Sequence, residues 1–94
     1  MISEEVQWFL KALASEKRQE IVFLFMERQE VKVNQVSELV GISQSTASEQ
    51  LAILKRGGLL SSRREGKEVF YFPNRNNVQS LLQALNELLN HCCK

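Results

Sequence analysis

The stretch from Ile42 to Leu60 constrains the fold more than any other part of the chain. Ser43 can cap the start of a helix, because its hydroxyl can accept a hydrogen bond from a free amide in the first turn. Gly57 and Gly58 can end that helix, since glycine tolerates the left-handed backbone at a helix C-terminus. The sequence therefore predicts a helix over residues 44–56. At about 100° per residue, its apolar stripe consists of Ala47, Leu51 and Leu54.

The opposite face of this helix differs from an ordinary solvated surface, where Glu alternates with Lys and Arg. It opens with short hydrogen-bonding side chains and finishes with two cations. Short polar groups can reach base edges in a DNA major groove, and cations can reach phosphates. This face consists of Gln44, Ser45, Ser48, Glu49, Ala52, Lys55 and Arg56.

A second short helix is expected just upstream. Val33, Val36, Leu39 and Val40 have the spacing of an amphipathic helix, and Gly41 then begins a turn. A helix, a glycine-containing turn and a second helix form the helix-turn-helix pattern. A helical hairpin packed for stability alone is the alternative that these residues leave open.

Length and composition fit one small domain over residues 1–94. The apolar content is 44%, and no apolar run approaches the roughly 18 residues of a membrane span. The chain shows no charged-then-apolar leader, so we expect a cytoplasmic protein without a membrane partner. The two cysteines, Cys92 and Cys93, are adjacent and provide no disulfide framework, which fits a reducing compartment.

The charges are distributed unevenly, although the net charge is only +1. Residues 1–54 hold five Lys or Arg against eight Glu, a balance of −3. Residues 55–67 hold five cations against Glu65 alone, a balance of +4. Such a local basic block is typical of a nucleic-acid contact. A solvated hairpin with chance cations is the alternative.

Two helices are predicted before the helix-turn-helix. Ser3 and Ser15 can each cap one. Residues 21–26 are all apolar and predict a central core helix that ends near Arg28, followed by a charged connection over residues 27–32. The first helix carries an apolar stripe at the spacing i, i+3, i+4, i+7, formed by Val6, Phe9, Leu10 and Leu13.

After the helix-turn-helix, the pattern changes to that of a β-hairpin. Residues 61–64 and 69–72 are strand-like, and residues 65–67 supply a tight turn in which Gly66 can take a positive φ. Alternation places Val69 and Tyr71 on one face, with the neighbouring phenylalanines on the other. The tip would then project a basic wing formed by Arg63, Arg64 and Lys67.

A last helix is predicted from about Arg75 or Asn76 to near Cys92. Its apolar residues include a series that alternates three and four apart, the spacing of a helix–helix seam: Val78, Leu81, Leu85, Leu88 and Cys92, with Leu82 and Leu89 beside it. We expect this seam to pack on another subunit, and packing on the chain's own first helix is the alternative. The predicted fold is mainly α with a small β-hairpin, in the order α-α-α-α-β-β-α.

In this order of elements the chain resembles the ArsR family of bacterial winged helix-turn-helix repressors. The matching segments are residues 11–14, Arg18, residues 38–46, 51–54, 58–60, 63–67 and 69–71. They span most of the chain, and their joint order is specific. The resemblance implies a homodimer built from the first and last helices, bound to double-stranded DNA with one recognition helix of each subunit in successive major grooves of an inverted repeat. It also implies repression that an inducer relieves.

The resemblance also assigns residues to roles. It implies DNA contacts by the recognition-helix residues Ser43, Gln44, Ser45, Thr46 and Ser48 and by the wing residues Arg63, Arg64 and Lys67. The polar face of the helix adds Glu49, Lys55 and Arg56 to the expected DNA contacts. A dimer interface is expected from Val6, Phe9, Leu10, Leu81, Leu85, Leu88, Leu89 and Cys92. The pair Glu49-Gln50 departs from the His or Gln pairs of many relatives. Glu49 can accept from cytosine N4, but it is repelled near a phosphate, so it either tunes sequence preference or faces away from DNA.

No metal or cofactor is expected at the family's usual positions. Lys32 and Asn34 stand where metal-sensing relatives have cysteines. The positions of a second family site hold Arg75, Asn77, Leu88 and His91, of which only the histidine can bind zinc. Phe23 stands where thiol-switch relatives have a cysteine. His91, Cys92 and Cys93 therefore remain as a soft-metal site, a redox site or a frayed terminus.

The sequence therefore predicts a sequence-specific DNA-binding regulator, a homodimeric repressor. A winged-helix module that binds another protein and no longer binds DNA is the alternative. One histidine, no aspartate and no glycine-rich phosphate loop argue against an enzyme.

Overall fold

The computed structural model describes residues 2–93, which form five α-helices, a short 3₁₀ turn and one three-stranded antiparallel sheet. The helices are α1 (Glu4–Leu13), α2 (Glu16–Phe23), α3 (Val33–Val40), α4 (Gln44–Arg56) and α5 (Arg75–Cys92). The strands are β1 (Val31–Lys32), β2 (Leu60–Glu65) and β3 (Glu68–Pro73). No helix in this part of the chain is both long enough and apolar enough to cross a bilayer.

Short polar residues begin four of the helices, as the first-turn amides require. The Oγ atoms of Ser3, Ser15 and Ser43 accept hydrogen bonds from backbone amides three residues later, at 3.2, 3.3 and 3.1 Å. The Oδ1 atom of Asn74 does the same for α5 at 3.3 Å. The three serine caps confirm the predicted helix starts.

The predicted central core helix is shorter and less buried than its composition indicated. The α-helix ends at Phe23, and the chain continues as a 3₁₀ turn over Leu24–Met26. In the apolar run only Ile21 and Phe25 are buried, whereas the side chains of Phe23 and Met26 are 65% and 77% exposed. Consecutive apolar residues point to every side of a helix, and this helix packs on one side only.

The predicted charged connection contains a strand. Residues Val31–Lys32 pair antiparallel with β3, opposite Tyr71 and Phe70, so that the sheet order is β1-β3-β2. The predicted hairpin, β2–β3, is thus part of a three-stranded sheet in which β1 is the added strand. A strand of two residues has no alternation of its own, and its pairing depends on a partner far along the chain.

The hairpin follows the predicted alternation. The pairs run from Leu60 opposite Pro73 to Glu65 opposite Glu68, which leaves Gly66 and Lys67 as a two-residue turn. Gly66 has a φ of 62°, as the predicted tight turn requires.

The core lies between the helices and the inner face of the sheet. Helix α4 buries its predicted stripe completely, and its C-terminal end lies close to α1. A Cβ added at Gly57 would lie only 2.5 Å from the Cβ of Ala12, so glycine permits this close approach. The buried core consists of Val6, Phe9, Ala12, Ile21, Phe25, Val31, Val36, Ala47, Leu51, Leu54, Leu59, Leu60, Tyr71 and Leu81.

Candidate nucleic-acid interface

The turn between α3 and α4 fixes the direction of α4. Gly41 ends α3 in the left-handed conformation, with a φ of 74°. The amides of Gly41 and Ile42 both donate to the carbonyl oxygen of Ser37, at 3.0 and 3.1 Å. The Ser37 hydroxyl in turn donates to the carbonyl oxygen of Ile42 at 2.5 Å. These reciprocal bonds close the turn and hold the two helices in a helix-turn-helix arrangement.

No other part of the described chain covers the polar face of α4. Gln44, Ser45, Ser48 and Glu49 are all exposed, whereas the apolar stripe on the other side is fully buried. An α-helix has about 3.6 residues per turn, so these four side chains, at positions 44–49, lie in its first two turns. The N-terminal half of the helix is free to enter a groove.

Three of the predicted DNA contacts hydrogen-bond one another at the start of the helix. The Oγ atom of Ser43 accepts from the amide of Thr46 at 3.1 Å and donates to the Thr46 hydroxyl at 2.9 Å. The Oγ atoms of Ser43 and Ser45 are 3.3 Å apart. Thr46 is half-buried. The hydroxyls of Ser43 and Thr46 therefore act first on the helix itself, as a cap.

A polar link that the sequence did not reveal accounts for Gln50. The guanidinium of Arg18 donates to the carbonyl oxygens of Ala12 and Lys11, at 2.8 and 3.0 Å, and to Oε1 of Gln50 at 2.9 Å. Through Arg18 of α2, Gln50 thus connects α4 to the end of α1. Glu49 remains on the exposed face, so the two members of the Glu49-Gln50 pair have different roles.

The cations at the end of α4 lie beside other elements. The Lys55 ammonium donates to the hydroxyl of Ser62 in β2 at 2.8 Å, which places it between the helix and the wing. The Arg56 guanidinium lies 4.0 Å from the ring centroid of Trp8 on α1. Stacking on an aromatic face is favourable for Arg, and it turns Arg56 toward α1.

The basic residues of the hairpin divide between its two faces. Arg64 lies on the same face of β2 as Ser62, the partner of Lys55, because successive strand residues alternate. Arg63 lies on the outer face, opposite Phe70. Its guanidinium forms ion pairs with Glu65 at 3.0 Å and with Glu30, a residue that the sequence did not single out, at 2.6 Å.

The residues predicted for the dimer interface separate into buried and accessible groups. Val6, Phe9 and Leu81 are buried inside the single chain, where α1 packs on α5. Leu85 and Leu88 are half-buried, and Cys92 is exposed. Leu10 is 37% exposed and Leu89 is 49% exposed, together with Leu82 at 50%. A second subunit can reach the exposed and half-buried side chains. Val6, Phe9 and Leu81 are already enclosed and can only support that surface from within the chain.

The C-terminal thiols contact each other. The Sγ atoms of Cys92 and Cys93 are 2.8 Å apart, and both residues are exposed. The hydrogen bond with Cys93 raises the pKa of the Cys92 thiol, and desolvation adds to the effect. A raised pKa lowers the thiolate fraction on which nucleophilic and metal-binding reactivity depends.

The residues at the family's usual metal positions, such as Lys32 and Asn34, are placed by the elements around them. Residues 2–93 contain no group of three or more His, Cys, Asp or Glu side chains placed to hold a metal ion. Lys32 lies in β1 and forms an ion pair with Glu68 at 3.3 Å, and Asn34 lies in the first turn of α3.

The fold and the exposed recognition helix define a winged helix-turn-helix protein. The sequence profile described as "Bacterial regulatory protein, arsR family" matches residues 15–62, about half of the chain. The chain belongs to this ArsR family, whose members are transcriptional regulators rather than enzymes.

Curated relatives with known names agree with this assignment. The transcriptional activator HlyU of Vibrio cholerae is 35% identical over 79 residues, which cover 84% of this chain and 72% of HlyU. The biofilm growth-associated repressor of Xylella fastidiosa is 32% identical over 83 residues, which cover 88% of this chain and 72% of that protein.

A solved structure supports both the fold and the family. The homodimeric winged helix-turn-helix DNA-binding domain of a possible ArsR-family regulator from Mycobacterium bovis matches with a TM-score of 0.72 at 30% identity. The match covers 94% of this chain and 80% of that one.

Proposed function

We propose that this chain is a homodimeric transcriptional repressor that binds an inverted-repeat operator through α4 and the hairpin. The carrying observation is the open face of α4, where Gln44, Ser45 and Ser48 are exposed on a helix whose other side is fully buried. A buried stripe fixes the helix, and a fixed helix can present short donors and acceptors to base edges in register.

The dimer is supported by the accessible apolar surface of α5. Leu82 and Leu89 are each about half exposed on a helix that already packs on α1. Exposed leucines on one helix favour burial against a partner. The Mycobacterium bovis relative is a homodimer by its own description. Two copies related by a two-fold axis would read a symmetric operator.

Repression requires only the DNA-binding surface of the protein, which is fewer interaction surfaces than activation requires. A bound dimer can block transcription by occupying the DNA, whereas activation requires an additional contact with the transcription machinery. Relatives include a named repressor and a named activator, so the position of the operator relative to the promoter is the variable to test. A reporter with the operator downstream of the promoter should lose expression when the protein is present.

Regulation through the usual metal positions of the family is not part of this proposal. Lys32, which occupies one of them, is a cation paired with Glu68. We expect one equivalent of Zn²⁺ to change operator affinity less than twofold. A larger change would locate a metal site elsewhere, with His91, Cys92 and Cys93 as the first ligands to test.

A gel shift with genomic fragments tests DNA binding directly. The reduced protein without added metal should retain a subset of fragments at a salt concentration that releases the remainder. Uniform retention of all fragments, or none, would contradict the proposed function.

A protein-binding module is the competing candidate, favoured by Glu49 at the centre of the exposed α4 face. A carboxylate there is repelled by phosphates. Stoichiometric co-purification of a protein partner, with no DNA retained, would support this candidate instead.

A further inference from the structure

Each of the three guanidinium nitrogens of Arg63 donates a hydrogen bond to a carboxylate of the same chain. Nη1 and Nη2 donate to the two oxygens of Glu30, at 2.6 and 3.1 Å, and Nε donates to Glu65 at 3.0 Å. Two parallel bonds between Arg and a carboxylate form the strongest geometry available to this ion pair. Three of the five N–H groups of this guanidinium are therefore engaged with carboxylates.

The aromatic residues of β3 hold the same guanidinium from beneath. Its Cζ atom lies 4.7 Å from the ring centroid of Phe70 and 6.0 Å from that of Phe72. An aromatic face attracts a cation and aligns the plane of a guanidinium. Arg63 is thus oriented along the outer face of the sheet, in line with its carboxylate partners.

This contact joins two parts of the molecule that the proposed function uses together. Glu30 directly precedes β1, the two-residue strand that leads into α3, whereas Arg63 lies in β2 of the wing. Strand β1 pairs with β3 and has no contact with β2 in the sheet order. The Glu30–Arg63 pair spans the outer face of β3 and ties the entry of the helix-turn-helix to the far strand of the wing.

The charge balance opposes a phosphate contact by Arg63. If Arg63 turned away to reach a phosphate, Glu65 on the wing and Glu30 before β1 would become unpaired carboxylates close to a polyanion that repels them. Arg64 and Lys67 form no ion pair with any other residue in the range 2–93. These two cations can neutralise phosphates without uncovering a negative charge.

We propose that Arg63 is a positioning residue that holds the wing against β1 through Glu30, and that Arg64 and Lys67 supply the phosphate contacts of the wing. This inference rests on the proposed DNA-binding function. It reassigns a residue that the sequence placed with its neighbour Arg64, because the two side chains lie on opposite faces of one strand.

The salt dependence of operator affinity separates the two roles, with R64A as the matched control for R63A. Each lost phosphate contact makes the slope of log affinity against log salt shallower by about 0.9. R64A should therefore change the slope by about 1.8 in a dimer. R63A should lower affinity roughly two- to fivefold, in line with a surface ion pair, and change the slope by less than half as much as R64A.

A double-mutant cycle between the two residues provides a second test. Because E30Q and R63A each weaken the same contact, the double variant E30Q/R63A should bind the operator to within about twofold of R63A alone. A slope change in R63A equal to that of R64A, or additive losses of affinity in the double variant, would overturn the positioning role.

Hydrogen exchange in the free protein tests the positioning role without DNA. E30Q and R63A should both speed exchange of the β1 and β3 amides that pair with each other, and R64A should leave it unchanged. Unchanged exchange in E30Q and R63A would contradict the inference even if DNA binds normally. Loss of selective DNA binding by the unmodified protein, with the exchange result as expected, would instead contradict only the proposed function.

Discussion

At the scale of single residues, the start of α4 combines two tasks that the sequence does not separate. The Ser43 hydroxyl accepts from the amide of Thr46 and contacts the hydroxyls of Ser45 and Thr46, whereas the Gln44 side chain is exposed without a hydrogen-bond partner among the described residues. All four are polar residues of the same segment. The backbone amide bond makes Ser43 the cap, and the exposed Gln44 is the candidate for base reading.

Substitutions at neighbouring positions should therefore have different effects. Gln44→Ala should alter preference among operator variants by about 1–3 kcal/mol at the base it contacts, with no loss of stability. Ser43→Ala should lower the free energy of unfolding by about 1 kcal/mol and leave the preference unchanged. Competition binding with single-base operator variants and thermal unfolding measure the two quantities. An unchanged preference in Gln44→Ala would exclude that side chain from base reading.

The Glu30 carboxyl should make stability depend on pH in a predictable direction. The hydrogen bond from Arg63 lowers its pKa and is the largest effect; desolvation opposes it, and the positive charge of Arg63 adds a further, smaller lowering. A lowered folded-state pKa means that the stabilisation is present above the unfolded-state value, about 4.3, and is lost as the pH falls through the folded value.

E30Q should thus be less stable than the unmodified protein at pH 7 and at pH 5.5 by the same amount. The difference should shrink only below about pH 4.3. Chemical denaturation of both proteins across this range provides the measurement, and a gap that closes between pH 7 and 5.5 would count against the ion pair.

At the scale of elements, the direction of α4 depends on the turn that precedes it. Gly41 has a φ of 74°, and an added Cβ would meet nothing within 4 Å. The cost of a larger residue there is therefore conformational rather than steric. Gly66 in the hairpin turn is equally open, with a φ of 62°, and provides a matched control away from the helices.

Gly41→Ala and Gly66→Ala should each destabilise the protein by about 1–2 kcal/mol, the cost of a left-handed alanine. Their effects on DNA should differ in kind. Gly66 lies beside Lys67 in the wing, so Gly66→Ala should weaken binding to all sequences about equally, whereas Gly41 sets the angle between α3 and α4, so Gly41→Ala should reduce the preference for the operator over other sequences. An unchanged preference in Gly41→Ala, measured where the variant is folded, would show that the turn does not control the reading surface.

The sequence was sufficient for elements with a local signal. Helix α4 has a cap, a stripe and a terminating glycine within its own residues, and the hairpin has alternation around Gly66, so both were predicted correctly. Strand β1 was missed because its pairing depends on a distant partner, and the 3₁₀ end of α2 was missed because a continuous apolar run does not indicate where a helix ends. Alternation along β2 could have placed Arg63 and Arg64 on opposite faces. It could not have identified Glu30 as the partner of Arg63, because Glu30 is distant in the sequence.

At the scale of the whole molecule, the proposed repressor requires two copies. Part of the predicted interface, including Val6 and Phe9, is enclosed in the core of one chain. The accessible part contains Leu82 and Leu89 on α5, which are about half exposed. Leu39 on α3 is 49% exposed and lies outside α1 and α5, so it has matched exposure at a different site.

The double variant L82E/L89E should be monomeric, because charged side chains on both leucines oppose burial against a second subunit. L39E should remain dimeric. Sedimentation equilibrium gives the masses directly. A dimeric L82E/L89E would exclude this side of α5 from the interface.

The central claim, that two α4 helices of one dimer read a single duplex, is tested most directly by selecting bound sequences from genomic DNA. The account predicts enrichment of an inverted repeat whose half-sites are about 10–10.5 base pairs apart, or a multiple of that spacing, and loss of the enrichment in L82E/L89E. Enrichment of an isolated half-site, or of no sequence above the input, would contradict it.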